Sequence, residues 1–391
     1  MEILFVISYF FPAWAYGGPG KLVRELARTL SDRGFRLAIY STDAFDLKRR
    51  RKEIDNKLLK KEKYKIYFFR TINNRFSYYS KFFLSPGLVL TAAAEIGKFD
   101  LVHLHEFFTG NVAIITFLAV LFKIPYIISA HGTLDSYRIK HRNFGKKIFM
   151  IFFGKRIIKN SAGFVAATVE ETEEYKLLGV PAAKIHHIPN GIDLKEFDNM
   201  PGKNIFKKKH NISAGEKVLL YLGRIHKLKG LRHLVEAMPL ISSQIDCRLV
   251  VAGSDDGYQE ELIKLVKKNK ISNVVFPGLI QGKEKLQLYR DSDVFVYPSL
   301  SEGFSLAVLE AAAAGLPLVI TYGCKFPQVA EYNAGYIVSA KAESLASAVI
   351  KILKDEKKRK SMGRSAGKMI KNDYSITVMA KRLAGLYKNI S

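Results

Sequence analysis

Short apolar runs alternate with amphipathic ones along almost the whole chain. EILFVIS, near the start, reads as a strand buried on both faces, and KLVRELARTLSDRG reads as a helix closed by Gly34. RLAIYS, LVHLH, YIISA, GFVAAT and KIHHIP continue the series as further strands. The longest apolar stretch, VAIITFLAVLFKIPYIIS, is cut by Lys123 and Pro125. A helix up to about Phe122 and a strand from Tyr126 account for it better than a membrane span. After NGID and a basic, irregular stretch near residues 200–215 the pattern restarts with KVLLYLG, RLVVAG, VVFPG, DVFVYPS and LPLVIT. Three helical stretches, roughly 341–354, 357–371 and 375–389, complete it.

This β-α-β alternation, met twice, predicts an α/β protein of two Rossmann-like, doubly wound parallel-sheet domains. The expected division is residues 1–200 and 201–374, with a C-terminal helix at about 375–391 that can pack back on the first domain. In such folds ligands sit at the carboxyl ends of the strands, and with two domains face to face the cleft between them is the default site.

Composition narrows the partners. The 391 residues are 48% hydrophobic, enough for sizeable cores, and carry a formal net charge of +26. Residues 1–200 hold 31 basic and 19 acidic side chains and the remainder 31 and 17, so the excess is global. It suits phosphorylated substrates, an anionic membrane surface or nucleic acid. Cys247 and Cys324 have no metal or redox spacing, so reduced thiols in a cytoplasmic compartment are expected. The start MEILFVISYFF has an acidic residue and no basic n-region, and reads as a buried strand rather than a signal peptide.

Two segments of the second half carry candidate chemistry. In YLGRIHKLKG, Gly223 ends a strand, Arg224 follows, and Lys229-Gly230 opens a helix. A planar guanidinium fork and an ammonium at a strand's carboxyl end hold a diphosphate well; two basic residues on a solvated loop are the alternative. In SEGFSLAVLEAAAAG, Glu302 follows the strand DVFVYPS, Gly303 and Phe304 are read as the start of a helix, and Glu310 lies about two turns along it. Amides at a helix start favour phosphate, and carboxylates accept hydrogen bonds from hydroxyl pairs of sugars and riboses. One helix-start glutamate and one solvated surface glutamate is the alternative.

These residues match a family. The C-terminal half resembles the retaining glycosyltransferases of family 4, which adopt the GT-B fold. Glu302 and Glu310 meet the family's E-x7-E pattern, and Gly223, Arg224, Lys229 and Gly230 its G-R-x4-K-G pattern. IPNGID at 188–193 resembles the family's interdomain segment, YGGPGKLVRELARTLSDRGF its N-terminal glycine loop and first helix, and SAHGTLD its HG turn. The likeness runs from about residue 3 to 340.

The resemblance implies transfer of a hexosyl group from a nucleoside-diphosphate sugar, UDP-hexose or GDP-mannose in type, to the hydroxyl of a sugar or lipid-linked saccharide acceptor. Cell-surface polysaccharide or glycolipid assembly is the implied setting. Arg224 and Lys229 would hold the diphosphate, Glu302 the transferred sugar's hydroxyls and Glu310 the ribose. The amides of Gly303, Phe304, Ser305 and Leu306 would face the phosphates, and Gly17 and Gly18 would let their loop close over the donor. His131 would reach the sugar from the other domain, and Gly278, Leu279 and Ile280 fall where the base-contacting loop lies. Retention with front-face attack is implied by kinship alone. No metal is expected, because preorganised Arg, Lys and helix amides can stabilise a departing diphosphate.

Other segments weigh less. DSD at 291–293 precedes a strand and reads as a helix-to-strand turn rather than a metal site. HLHE (His103, His105, Glu106) could suggest a metal: His103 and His105 alternate onto one strand face, but no third ligand joins them there; His105 is taken as acceptor-side. LKRRRKEIDNKLLKKEKYKIYFFR (47–70) and HRNFGKKIFMIFFGKRIIKN (141–160) mix cations with aromatics, and the second reads as a basic amphipathic helix suited to an anionic membrane interface. A peripheral enzyme at the inner face of the membrane is therefore expected, the alternative being packing on its own sheet. YGCKFPQVAEYNAGYIV has Lys325 and Phe326 where the family usually has small residues. Rival readings are a sugar-nucleotide epimerase of GT-B fold and a non-enzymatic nucleic-acid-binding protein. The second finds no RNA-binding motif, so nucleic acid is not expected as a partner.

Overall fold

The computed structural model describes residues 1–52, 59–134 and 144–390. Parts of two basic aromatic segments, residues 53–58 and 141–143, lie outside these, as does Asp135 of the HG-turn motif. The chain divides into two compact units, Met1–Asn190 with Ile376–Ser391, and Gly191–Ser375. The division therefore falls inside IPNGID rather than at residue 200, because Ile192 already pairs with Ser375 and packs in the core of the second unit.

The first unit is built on a seven-stranded sheet of order β3-β2-β1-β4-β5-β6-β7. Its strands are β1 (Glu2–Ile7), β2 (Arg36–Thr42), β3 (Lys65–Phe69), β4 (Leu101–Leu104), β5 (Tyr126–Ser129), β6 (Gly163–Ala166) and β7 (Ile185–His187). The second has six strands of order β10-β9-β8-β11-β12-β13. These are β8 (Lys217–Leu222), β9 (Cys247–Ala252), β10 (Val274–Gly278), β11 (Val294–Tyr297), β12 (Leu318–Thr321) and β13 (Gly335–Val338). Neighbouring strands are parallel throughout, so helices cover the faces and the central strands are continuously apolar. In each sheet the order reverses beside the first strand, between β1 and β4 and between β8 and β11. Such switch points open a crevice at the carboxyl ends.

Helix boundaries follow their caps. Thr109 Oγ1 accepts the Val112 N–H at 3.1 Å and starts Gly110–Leu121, and β5 follows from Tyr126, as the break at Lys123 and Pro125 suggests. The closing helices run Ala342–Leu353, Glu356–Asp373 and Ile376–Ile390. The last belongs to the first unit, where the buried Tyr387 donates to or accepts from His103 Nδ1 at 2.7 Å.

Two strands lie outside the expected series, β3 and β13. Both are edge strands; β3, KIYFF, is half exposed and joins a lysine to aromatics, while β13, GYIV, is only four residues long. β3 takes up the end of the 47–70 segment, and the Arg51 guanidinium stacks on Phe68 at 4.1 Å. That part of the segment is sheet packing, not an interfacial face.

Candidate active site

At the switch point of the second sheet, two loops meet. The one after β8 makes a 3-10 turn, Lys227–Lys229, before the helix Leu231–Ser242. Gly230 lies at φ +65°, and a Cβ there would stand 2.0 Å from the Pro298 carbonyl oxygen. Only glycine permits this approach. It lets the loop after β11 lie on the turn, with the Leu300 N–H donating to Leu228 O at 2.9 Å. Gly323 closes in from the other side: its Cβ would meet Ser299 O at 2.4 Å, and its carbonyl accepts the Glu302 N–H at 3.0 Å.

This packing brings Lys229 Nζ onto Glu302 Oε1 in a close ion pair, with both side chains little exposed, 12% and 11%. Tyr297 OH and Ser299 Oγ donate to the same oxygen at 2.9 and 3.2 Å. Burial and the Glu302 charge push the Tyr297 phenol well above its ordinary range, so it remains a donor. The Glu302 carboxylate thus faces the Lys229 cation and is not turned to bulk water. Arg224 is drawn differently: its exposed guanidinium pairs with Asp256 at 2.8 Å, while its carbonyl accepts from Tyr221 OH at 2.8 Å. Gly223 lies just past β8.

The helix after Glu302 begins at Leu306, not at Gly303. Ser305 supplies the cap, its Oγ accepting from the Val308 N–H at 3.4 Å. Glu302, Gly303 and Phe304 are therefore loop residues, and the two-turn separation of the glutamates does not apply. The amides of Ser305 and Leu306 still head the helix, whose first-turn N–H groups have no acceptor within it. Phe304 rests on Phe326 and Tyr374, with centroids 5.8 and 6.1 Å away. The unusual Phe326 is thereby explained as a buried prop under this loop.

Glu310 is neither solvated nor on the surface. It is 6% exposed, its Oε1 paired with Lys285 Nζ at 2.9 Å and its Oε2 accepting from Tyr289 OH at 3.0 Å. Gly278, at φ +79°, ends β10, with Leu279 exposed and Ile280 buried beyond it.

At the switch point of the first sheet the polar groups are histidines and a buried glutamate, each pushed towards its uncharged form. His105, just past β4, sets its Nδ1 3.1 Å from His131 Nε2, the rings lying 10° from parallel. Burial pushes His131 down to about 4 and lowers His103 and His105 well below the usual histidine range. His103 is structural, held by Tyr387 OH at 2.7 Å and Ser129 Oγ at 2.8 Å. Glu106 accepts the Ser8 N–H at 3.0 Å, and burial raises it to about 7. Gly17, at φ +103°, follows the turn Trp14–Tyr16, and Gly18 caps the helix Pro19–Asp32.

Several positioning residues carry no motif. Glu171 fixes the HG turn: its Oε1 accepts the Gly132 N–H at 3.0 Å and Tyr175 OH at 2.8 Å, its Oε2 the Ala167 N–H at 2.7 Å. Tyr297, Ser299, Lys285 and Tyr289 serve the two glutamates likewise. Tyr297 and Ser299 show in sequence as polar atoms at the end of an apolar strand, whereas Glu171, Lys285 and Tyr289 sit on polar helices, where nothing in the sequence marks them. DSD proves to be a turn, with Asp291 accepting the Phe206 N–H at 2.8 Å and Asp293 the Val218 N–H at 3.0 Å. Among the described residues no group of three or more His, Cys, Asp or Glu side chains is arranged to hold a metal ion.

Known proteins share this plan. A model described as Glycosyltransferase Family 4 matches residues 16–196, and one described as Glycosyl transferases group 1 matches 202–369. An uncharacterized glycosyltransferase of Methanocaldococcus jannaschii is 30% identical over 302 residues, covering 75% of this chain and 76% of that one. The chain belongs to glycosyltransferase family 4. Its two parallel sheets are those of the GT-B fold, and this glycosyltransferase is a transferase enzyme by kinship. The N-acetyl-alpha-D-glucosaminyl L-malate synthase of Bacillus anthracis is 24% identical over 383 residues, 96% of this chain and 94% of that enzyme. The crystal structure of Anabaena HepE in complex with UDP-glucose matches with a TM-score of 0.79 at 17% identity over 100% of both chains. That likeness is one of fold.

Proposed function

We propose that this glycosyltransferase moves a hexosyl group, with retention, from a nucleoside-diphosphate sugar to an acceptor hydroxyl in cell-surface polysaccharide or glycolipid assembly. The observation that carries the reading is the Lys229–Glu302 pair at the β8/β11 switch point. Cation and carboxylate are held together, partly desolvated, by loops that only glycines allow to touch. A diphosphate sugar answers both groups: its phosphates take the ammonium and its hydroxyls donate to the carboxylate. Arg224 adds a second cation on releasing Asp256, and the amides of Gly303, Phe304, Ser305 and Leu306 receive phosphate oxygens. Glu310 takes the ribose, Gly278, Leu279 and Ile280 the base, and Gly17 and Gly18 flank the donor. His131, neutral at pH 7, contacts the transferred sugar as a hydrogen-bond partner, with His105 fixing its ring. Charge on the departing diphosphate is met by these protein groups, without a metal. HepE binds UDP-glucose, which supports a donor of this class.

A thermal-shift screen of UDP- and GDP-sugars tests the reading, followed by analysis of the anomeric configuration of the product. One nucleotide sugar should raise Tm, and Lys229→Ala should lose that rise. An inverted product, or no stabilisation by any nucleotide sugar, defeats the assignment.

The reading includes a peripheral stand on an anionic bilayer. The helix formed by Phe144–Phe149, Met150–Gly154 and Lys155–Asn160 exposes Ile151 at 68% and Phe152 at 70%, and the end of Gly110–Leu121 exposes Leu121 at 62%. Arg156 bridges the two, 5.8 Å over the Phe117 ring, and Lys123, Lys147, Lys155 and Lys159 are exposed on these segments. Contiguous apolar surface with cations suits the interface of an anionic membrane. Among the described residues no helix is long and apolar enough to cross one. Flotation with phosphatidylglycerol vesicles at low salt, lost on Phe152→Glu with Leu121→Glu, is the expected result; failure of the wild-type chain to float removes this part of the reading.

A further inference from the structure

His105 and His131 stand at the carboxyl edge of the first sheet, and each is held in place. The His105 N–H, just past β4, donates to Val6 O at 2.9 Å. Its ring lies against that of His103, with centroids 4.1 Å apart, and the Phe5 ring meets it edgewise at 4.9 Å. His131 takes the left-handed φ of +52° at the start of the HG turn, and Glu171 anchors the next residue by accepting the Gly132 N–H. Between the two rings, His105 Nδ1 and His131 Nε2 are 3.1 Å apart. Both nitrogens of His103 meet hydroxyls that can donate or accept, Tyr387 OH and Ser129 Oγ. His105 differs: its Nε2 is enclosed and has no hydrogen-bond partner among the described residues.

That orphaned nitrogen decides how the pair shares a proton. A neutral imidazole carries one N–H and one bare nitrogen, and burial keeps both rings neutral at pH 7. If His131 donated from Nε2, the His105 proton would have to sit on His105 Nε2. Nothing described accepts it there, and the Phe5 ring alongside is a weak acceptor at best. Burying a ring N–H without an acceptor is the costlier choice, and native structures orphan N–H groups less often than lone pairs. If instead His105 donates from Nδ1, only a lone pair is left unpaired. His131, with Nε2 engaged as the acceptor, then carries its own proton on Nδ1, the nitrogen left to meet a ligand. We propose that His105 is a positioning residue that holds His131 in the Nδ1–H tautomer, so that His131 meets an oxygen of the transferred sugar as a donor and removes no proton from it. Naming that ligand rests on the transferase reading; the tautomer does not.

Long-range proton–nitrogen correlation spectra of the full chain labelled with 15N-histidine, taken at pH 7 without ligand, read the tautomers directly. His131→Asn identifies the His131 signals. In the wild type both His131 and His105 should show a protonated Nδ1 and a bare Nε2. His105→Leu should release His131 into a mixture that contains the Nε2–H form, the one free imidazole side chains prefer. It should also lower kcat by about tenfold with the nucleotide Kd held within about twofold. His105→Asn, which sets an amide N–H where Nδ1 stood, should restore the Nδ1–H form and bring kcat to within about threefold of the wild type. A merely structural role for His105 would lower Tm in the leucine variant without moving the tautomer of His131, and that outcome overturns the proposal. So does a wild-type His131 that carries its proton on Nε2 or is cationic, a result that stands even if the leucine variant fails to fold. The spectra need no substrate, so failure of every nucleotide sugar to raise Tm would sink the transferase reading and leave the tautomer assignment standing.

Discussion

In both sheets the strand order reverses beside the first strand, yet the polar groups gathered at the two switch points differ in kind. Around β8 and β11 they are ions held in pairs: Lys229 with Glu302, and on neighbouring elements Lys285 with Glu310 and Arg224 with Asp256. Around β1 and β4 they are neutral at pH 7 or near it: His103, His105 and His131 are pushed down by burial, and Glu106 is pushed up to about 7. Burial favours the uncharged form of any isolated group, and only a partner of opposite charge reverses this. One topology therefore supplies a charged receptacle or a neutral one, according to whether the sequence places counter-ions on the adjoining loops. A departing diphosphate needs the former; a sugar hydroxyl is served by the latter.

Deleting one ion of the charged set strikes hardest. Lys229→Ala should lower kcat/KM by about a thousandfold, roughly 4 kcal/mol of transition-state stabilisation. Because it also leaves the Glu302 carboxylate without its cation, Tm should fall too; a variant keeping a tenth of the activity would erase the contrast between the two edges. Next comes Glu310→Ala, which strands Lys285 in a largely buried position and should cost on the order of 3 kcal/mol in chemical denaturation. Pairing it with Lys285→Met should restore most of that loss, whereas an equally unstable double variant would mean that Glu310 acts by packing alone.

His131→Ala probes the neutral set. A fall in kcat of ten- to a hundredfold is expected, with nucleotide affinity in calorimetry held within about twofold, since this neutral ring offers nothing to a diphosphate's charge. Weakened nucleotide binding would count against the separation of roles.

Glu106→Gln is expected to leave activity least changed and to give the sharpest pH signature. In the folded state burial raises the pKa of Glu106 from its ordinary 4.5 to about 7. Its contribution to stability is thus complete below pH 4.5 and is lost as pH rises towards 7 and beyond. Glutamine carries no such dependence. The variant should match the wild type near pH 4.5 and exceed it by up to about 3 kcal/mol at pH 8. His131 runs oppositely: with its pKa lowered to about 4, its contribution is present above pH 6.5 and lost as pH falls towards 4. A Tm advantage for Glu106→Gln at pH 4.5 but not at pH 8 would reverse the assigned direction.

Much of the fold was legible because central parallel strands must be apolar on both faces. Runs such as KVLLYLG and RLVVAG have no other stable placement, and Lys123 with Pro125 could only mark the break between helix and strand. β3 was hidden because it is a half-solvated edge strand closing a lysine-rich stretch, and β13 because GYIV is only four residues long. The start of the helix at Leu306 was hidden because Ser305, not Gly303, holds the cap. In the candidate site, the spacing of Glu302, Glu310, Arg224 and Lys229 was plain. That Arg224 pairs with Asp256 while Lys229 takes Glu302 was not, since such choices turn on a few ångströms of loop packing.

The sequence by itself determined two parallel sheets, the family and the residue types at the strand ends, because hydrophobic periodicity and short motifs are local properties of the chain. Only the tertiary structure decided which ions pair and which histidines lose their charge. Burial and Coulomb energy depend on distances between residues far apart in sequence, and those exist only once the chain has folded.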